Sequence, residues 1–315
     1  MKLKSAIIGL GKIGIDFDLK ENRSKKYDIW THYSAYKSLP DQFELVAAVE
    51  IDENKVKEVN KFDPNLKIVK NIRDLQGEKI DVVSICTPEF FHMQNIEECL
   101  SFCKGIFVEK PLASSEVDQD LNNFQNFIHE KKIPVYVNYY KRAEPAVIEI
   151  LSVLKTEKIT SIICKYSGFL DAVGSHAVDL INYILPINKI CFVHHNSIGT
   201  SAIFKCKDDI LAYLNHTGEK NKLIFELEIT TQNFRFLLED NLATLKIQKF
   251  LKSKRYQDYF ELEIEKEAKY LTNPNRLVGF LISLHNDIVN KKPNFSNFDQ
   301  AIQSQSWLSL LKNHN

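Results

Sequence analysis

Lys4-Ser5-Ala6-Ile7-Ile8-Gly9-Leu10-Gly11-Lys12-Ile13-Gly14-Ile15-Asp16 decides how the chain is read. A short apolar run ends at Gly9, and Gly9, Gly11 and Gly14 follow at G-x-G-x-x-G spacing. In such a turn the first glycine leaves the strand tightly. The second has no side chain to keep a pyrophosphate off the backbone, and the third lets the next helix pack close to the sheet. The helix start offers unpaired N–H groups and the positive end of its dipole to phosphates. Gly9, Gly11, Lys12, Ile13 and Gly14 are therefore candidate contacts for a dinucleotide.

The spacing alone is a weak signal and needs an acid at the end of the next strand. Phe43-Glu44-Leu45-Val46-Ala47-Ala48-Val49-Glu50 reads as that strand, with Glu50 at its end. A carboxylate there accepts both hydroxyls of an adenosine ribose and repels a 2′-phosphate, which favours NAD over NADP. The acid ordinarily follows the glycines by about 20 residues. Here the gap is wider, and the surplus, Asp18 to Trp30, reads as an inserted loop beside the cofactor. Thr31-His32-Tyr33-Ser34-Ala35-Tyr36 then resumes a helical pattern. His32 itself carries no distinguishing pattern.

A chain of 315 residues with 44% hydrophobic content has room for two domains and a sizeable core. Its 41 basic and 41 acidic residues balance. That argues against a nucleic-acid-binding surface, which would show a basic excess. No apolar run approaches the roughly 20 residues of a membrane span, and no charged-then-apolar leader opens the sequence. A cytoplasmic protein without a membrane partner is expected. The cysteines Cys86, Cys99, Cys103, Cys164, Cys191 and Cys206 form no C-x-x-C pair, and no clustered histidine accompanies them. They read as free thiols in a reducing compartment, and no metal site is expected.

Strands and helices alternate through residue 140, the pattern of a parallel sheet. Leu66–Val69, Asp81–Cys86, Gly105–Pro111 and Ile133–Asn138 read as its further strands, and the polar residues at their ends share one edge. Ligands of open parallel sheets bind at that edge. After residue 140 the pattern changes. Leu223–Thr231 and Phe260–Glu265 alternate apolar and polar residues, as antiparallel strands with one wet face do, and Asp240-Asn241 reads as a turn. Helices are expected at 275–290 and 298–312. The expected division is a Rossmann α/β domain over 1–140, doubly wound on a parallel sheet. An α+β C-terminal domain with a large, mostly antiparallel sheet follows over 141–315.

Several of these segments together resemble the Gfo/Idh/MocA family, named for glucose-fructose oxidoreductase, inositol dehydrogenase and rhizopine catabolism. The carriers are Gly9-Leu10-Gly11-Lys12-Ile13-Gly14, Thr87-Pro88 with His92, and Glu109-Lys110-Pro111. Gly174-Ser175-His176-Ala177-Val178-Asp179, after Tyr166-Ser167-Gly168, completes them. The resemblance implies a nicotinamide cofactor and a sugar, nucleotide-sugar or cyclitol substrate. It also implies a homodimer or homotetramer packed through the C-terminal sheet. Many catalytic members carry an aspartate four residues before the histidine. Ala172 stands there in this chain, with Asp171 one residue earlier. Members similar around these segments include enzymes that modify sugars for surface polysaccharides.

On that reading Lys110, His176 and Asp179 are the catalytic candidates. Lys110 is placed to stabilise an oxyanion, and His176, opening a helix after Gly174-Ser175, to act as a base with its pKa depressed by the helix end. Asp179 either orients His176 or complements the dipole. Thr87, Pro88, His92, Glu109 and Lys110 are expected to line the cofactor. Lys110, Asn138, Tyr140, Arg142, Asp171 and His176 are expected to meet substrate, with Asp171 a possible stand-in for the missing carboxylate. The expected activity is NAD-dependent hydride transfer to or from a secondary alcohol. A regulator that keeps the fold without turnover, and an enzyme that recycles NAD in place, are the alternatives.

Overall fold

The computed structural model describes residues 1–20, 29–114, 120–218, 221–270, 276–290 and 298–314. The chain divides into two compact units, Met1–Tyr140 with Pro274–Gln305, and Lys141–Asn273 with Ser306–Asn315.

The first unit is built on β1 (Leu3–Ile8), β2 (Phe43–Val49), β3 (Lys67–Val69), β4 (Val82–Ile85), β5 (Gly105–Val108) and β6 (Val135–Val137). All pair in parallel, in the order β3-β2-β1-β4-β5-β6. The order reverses between β1 and β4, the switch point of a doubly wound sheet. Strands β4, β5 and β6 are buried at every residue, as their nearly unbroken apolar sequences require when helices cover both faces.

The described helices of this unit begin with α1 (Phe17–Lys20), α2 (His32–Lys37) and α3 (Glu53–Phe62). They continue with α4 (His92–Cys99), α5 (Leu121–Lys131) and α8 (Arg276–Asn290). Asp52 caps α3 by accepting from the Asn54 N–H at 2.8 Å, the ordinary role of aspartate at a helix start. Helix α8 corrects the expected division, which gave everything after residue 140 to the second domain. It packs on β5, with the rings of Phe280 and Phe107 stacked at 5.8 Å. Phe280, Leu281 and Leu284 are fully buried, each stabilising the unit by about 1.5–3 kcal/mol. Gly105 makes the approach possible, since a Cβ there would lie 2.6 Å from Ile288 Cδ1. An amphipathic helix announces an apolar face but not which sheet it covers.

The second unit holds β7 (Ile159–Tyr166), β8 (Ile187–His195), β9 (Thr200–Cys206) and β10 (Leu211–His216). It also holds β11 (Phe225–Thr231), β12 (Phe234–Glu239), β13 (Thr244–Lys252) and β14 (Phe260–Lys269). Their order is β14-β13-β12-β11-β7-β10-β9-β8, antiparallel except for the β7–β10 pair. Alternate residues Ile162, Cys164 and Tyr166, and Phe225, Leu227 and Ile229, enter the core. Helices α6 (Pro145–Leu154) and α7 (Ser175–Ile184) supply the covering layer, with Ala146, Ile150, Val178 and Ile181 in the same cluster. The Asp240-Asn241 turn joins β12 to β13 and extends to Leu242, all three residues having positive φ. Helix α9 (Phe298–Lys312) closes the chain. No helix among the described residues is long and apolar enough to cross a membrane.

Candidate active site

Register assembles the site's first row. Ile8 pairs with Val49 and with Ile85, Ile85 with Val108, and Val108 with Val137. The residues one step further along these strands are Glu50, Gly9, Cys86, Glu109 and Asn138, so five strand ends deliver them to one edge. Thr87 and Lys110 follow directly. Burial pushes the Cys86 thiol well above its ordinary range, with Glu109 adding to the effect. Cys86 is therefore not a thiolate at neutral pH.

The glycine turn has the shape a pyrophosphate needs. Gly9 holds φ +89°, and a Cβ there would lie 3.0 Å from the Cys86 backbone. Gly14 is the tightest point, its would-be Cβ falling 2.3 Å from the Gly9 carbonyl oxygen. A Cβ on Gly11 would meet nothing within 4 Å. The turn that follows is wide, with the Ile15 and Asp16 N–H groups both donating to the Gly11 carbonyl at 3.0 and 3.1 Å. Asp16 is paired with Lys55 from α3.

Glu50 is locked to this turn. Its Oε2 accepts from the Leu10 N–H at 2.9 Å, and its Oε1 from the N–H groups of Ile51 and Asp52 at 2.8 and 2.9 Å. Oε2 keeps a lone pair for a ribose hydroxyl, whereas both acceptor sites of Oε1 are taken. Open space over Gly11 and an oriented acid beside it fit a dinucleotide.

Asp18 and Trp30, the ends of the inserted loop, are described; residues 21–28 of it lie outside the described residues. The Thr31 hydroxyl donates to Asp18, and its oxygen caps α2 by accepting from the Ser34 N–H at 3.1 Å. His32 follows, fully buried. Its Nδ1 lies 2.9 Å from Ser84 Oγ and its Nε2 2.9 Å from Glu109 Oε1. Ser84 Oγ is in turn 2.8 Å from the Tyr36 hydroxyl. Asn138 Nδ2 donates to the same Glu109 oxygen at 2.7 Å. Burial opposes the Glu109 charge, but His32, Asn138 and Lys110 outweigh it and hold the carboxyl below its ordinary range. Neighbouring sequence gives His32 no role, because its partners lie 52 and 77 residues away.

Lys110 is partly exposed beside Glu109, and its peptide bond to Pro111 is cis. Asn138 is 3% exposed, and its Oδ1 has no hydrogen-bond partner among the described residues. His92 is buried between two carbonyls, Nε2 at 2.8 Å from Thr87 O and Nδ1 at 2.9 Å from Pro111 O. Burial lowers its pKa despite both contacts. The neutral ring donates to one of these carbonyls and is enclosed by both segments rather than standing open to a ligand. Thr87 accepts from Asn95 at 2.9 Å, and Pro88 is exposed.

In the second unit three assignments change. Arg142 is completely buried and clamps both oxygens of Asp179, Nε to Oδ2 at 2.7 Å and Nη2 to Oδ1. Its guanidinium lies over the Tyr183 ring at 4.5 Å. Arg142 is therefore a core cation rather than an exposed substrate contact, and Asp179 is committed to it. Asp171, the expected stand-in carboxylate, pairs with Lys312 at 2.5 Å.

His176 is buried at 4% exposure and is the second residue of α7, as expected, but no free helix end lies there. A wide turn over Leu170–Gly174 runs directly into α7, and Gly174 is itself right-handed helical. The dipole argument for His176 is thereby lost. Gly174 is required for packing instead, since a Cβ there would lie 2.8 Å from Leu170 and 2.9 Å from the Tyr166 ring. Tyr140 is partly exposed after β6.

A 3-2-1-4-5-6 parallel sheet with a glycine turn and an anchored acid at its switch point defines a dinucleotide-binding Rossmann domain. Residues 3–139 match the GFO_IDH_MocA model, an oxidoreductase family with an NAD-binding Rossmann fold. No curated protein matches the chain.

Solved structures share the fold along nearly the whole length. UDP-N-acetylglucosamine 3-dehydrogenase GnnA from Acidithiobacillus ferrooxidans is 14% identical, covering 99% of this chain and 97% of its own, with a TM-score of 0.76. The dehydrogenase MviM from Clostridium difficile is 18% identical, covering 99% of each chain, with a TM-score of 0.73. A super-repressor mutant of Gal80p from Saccharomyces cerevisiae is 14% identical, covering 99% and 95%, with a TM-score of 0.75.

Proposed function

We propose that the protein is an NAD(H)-dependent oxidoreductase that moves hydride between nicotinamide and a secondary alcohol or ketone of a sugar, nucleotide-sugar or cyclitol. The observation that carries this reading is Glu50, held by the Leu10 N–H inside the glycine turn. A carboxylate fixed there accepts a ribose hydroxyl and opposes a 2′-phosphate. Lys55, the nearby cation on α3, is already paired with Asp16 and Glu58, so it does not offset that repulsion.

The nicotinamide, when bound, supplies the hydride acceptor or donor. This chain's residues supply the rest. The Lys110 ammonium stabilises the negative charge that develops on the reacting oxygen, the kind of interaction that strengthens most in the transition state. The buried Asn138 carbonyl oxygen accepts from a hydroxyl or amide of a bound ligand. His176 on the second unit is assigned the proton-accepting role. Asp179 acts there only through its clamp on Arg142.

A cytoplasmic location fits the six free cysteines. A homodimer or homotetramer packed through the large sheet is part of the same reading.

The test is a fluorescence titration of the purified protein with NADH and NADPH, followed by a turnover screen of sugar-like alcohols. NADH binds more tightly, and Glu50→Ala narrows the difference; failure of both dinucleotides to bind refutes the reading. Exposed Ala172, where many family members carry an aspartate, favours one second reading, a cofactor-binding regulator. Tight NADH binding without turnover of any sugar, nucleotide-sugar or cyclitol would support it.

A further inference from the structure

The buried chain behind Glu109 has a direction. Tyr36, Ser84 and His32 are at most 1% exposed, and Glu109 and Asn138 are 8% and 3% exposed. Glu109, ionised, offers only acceptors. His32 Nε2 must therefore carry a hydrogen to bond it. Ser84, Tyr36 and Nδ1 then order themselves behind that bond, since a hydroxyl both donates and accepts. The ring is packed against Phe107, with centroids 4.8 Å apart, so its orientation is set by the core.

We propose that His32 is a positioning residue: it holds the Glu109 carboxylate ionised and oriented at the strand end, so that a fixed negative charge stands beside Lys110. The inference rests on the oxidoreductase reading only for the role given to Lys110. The contacts themselves stand without it. Breaking the chain removes one of the two side-chain donors to Glu109 Oε1, leaving Asn138 alone. A buried carboxylate that loses a donor binds a proton more readily. The other groups that bear on Glu109 are Lys110, His92 and Cys86. None of them replaces a hydrogen bond to Oε1 among the described contacts.

The experiment uses the full-length protein and two spectroscopic readouts. In the wild type, 15N NMR of the histidine rings is expected to show His32 protonated at Nε2. A ring with its hydrogen on Nδ1 alone overturns the proposal, and this measurement requires no mutant to fold. Difference infrared spectroscopy at pH 6 reads the second. His32→Leu is expected to gain the carbonyl band of a protonated carboxyl, corresponding to at least about a thirtyfold rise in the proton affinity of Glu109 from its value below 4.5, and the band disappears in His32→Leu with Glu109→Gln.

His32→Gln, which can still donate to Glu109 and accept from Ser84, lacks the band. A folded His32→Leu protein without it also overturns the proposal. Wild-type protein that shows the expected tautomer and band pattern yet binds no nicotinamide dinucleotide would leave the positioning role intact and sink the oxidoreductase reading instead.

Discussion

Substituting alanine at two glycines of the same turn separates packing from ligand binding. At Gly14 the added carbon falls 2.3 Å from the Gly9 carbonyl oxygen, more than an ångström inside the 3.4 Å at which ordinary contact begins. The obstacle is backbone, so the helix start must move away from the strand end. Overpacking of this kind costs about 1–3 kcal/mol. For a domain of this size that lowers the first unit's melting by roughly 2–12 °C. At Gly11 the added carbon meets nothing within 4 Å, and the residue sits at φ −75°, which alanine adopts freely.

Gly11→Ala is therefore expected to melt with the wild type and to lose at least about tenfold in NADH affinity, roughly 1.4 kcal/mol. Gly14→Ala loses both. Differential scanning fluorimetry and NADH fluorescence titration read the two quantities on the same samples. The reasoning is refuted if Gly11→Ala binds NADH as the wild type does, or if Gly14→Ala melts unchanged.

Lys110→Ala is expected to abolish turnover with dinucleotide affinity mostly kept; wild-type turnover in that variant removes Lys110 from the mechanism. Asp179→Asn removes the charge that the fully buried Arg142 guanidinium is paired with and is expected to destabilise the second unit by about 3–5 kcal/mol, measured by urea unfolding. Unchanged stability with altered kinetics would return Asp179 to the reaction. Acid is expected to weaken the first unit in two stages. His92 sits below its ordinary 6.5, so its contribution is complete above that pH. The contribution declines as pH falls and the unfolded chain takes the proton first. Glu109, held below its ordinary 4.5, adds stability that is present above 4.5 and is lost as pH falls through its folded value. Thermal melts from pH 8 to 2 show both stages, and His92→Gln removes the upper one; a wild-type melt flat between pH 7 and 5 would contradict the assignment.

The dinucleotide edge was legible because its determinants are local. Gly9, Gly11 and Gly14 encode a turn within six residues, and the continuous apolar runs of β4 and β5 encode burial on both faces. Strand ends in a parallel sheet fall on one edge whatever the helices do, so Glu50, Thr87, Glu109, Lys110 and Asn138 were placed there by periodicity alone. Alternation in β11 likewise announced a sheet with one wet face.

What the sequence left undecided depends on partners distant along the chain. Helix α8 returns to the first unit because Gly105 leaves room for Ile288, a fit between residues that no periodicity relates. Arg142 and Asp179 each looked available until folding placed their charges face to face in a core that leaves neither exposed. Gly174-Ser175 has the composition of a helix start, yet tertiary packing against Tyr166 makes that glycine part of a continuing helix. His32 gained its role only when β4 and β5 brought Ser84 and Glu109 to the two sides of its ring. Short-range steric and hydrophobic preferences are written in neighbouring residues, whereas the pairing of buried polar groups is settled by which surfaces meet when the chain closes.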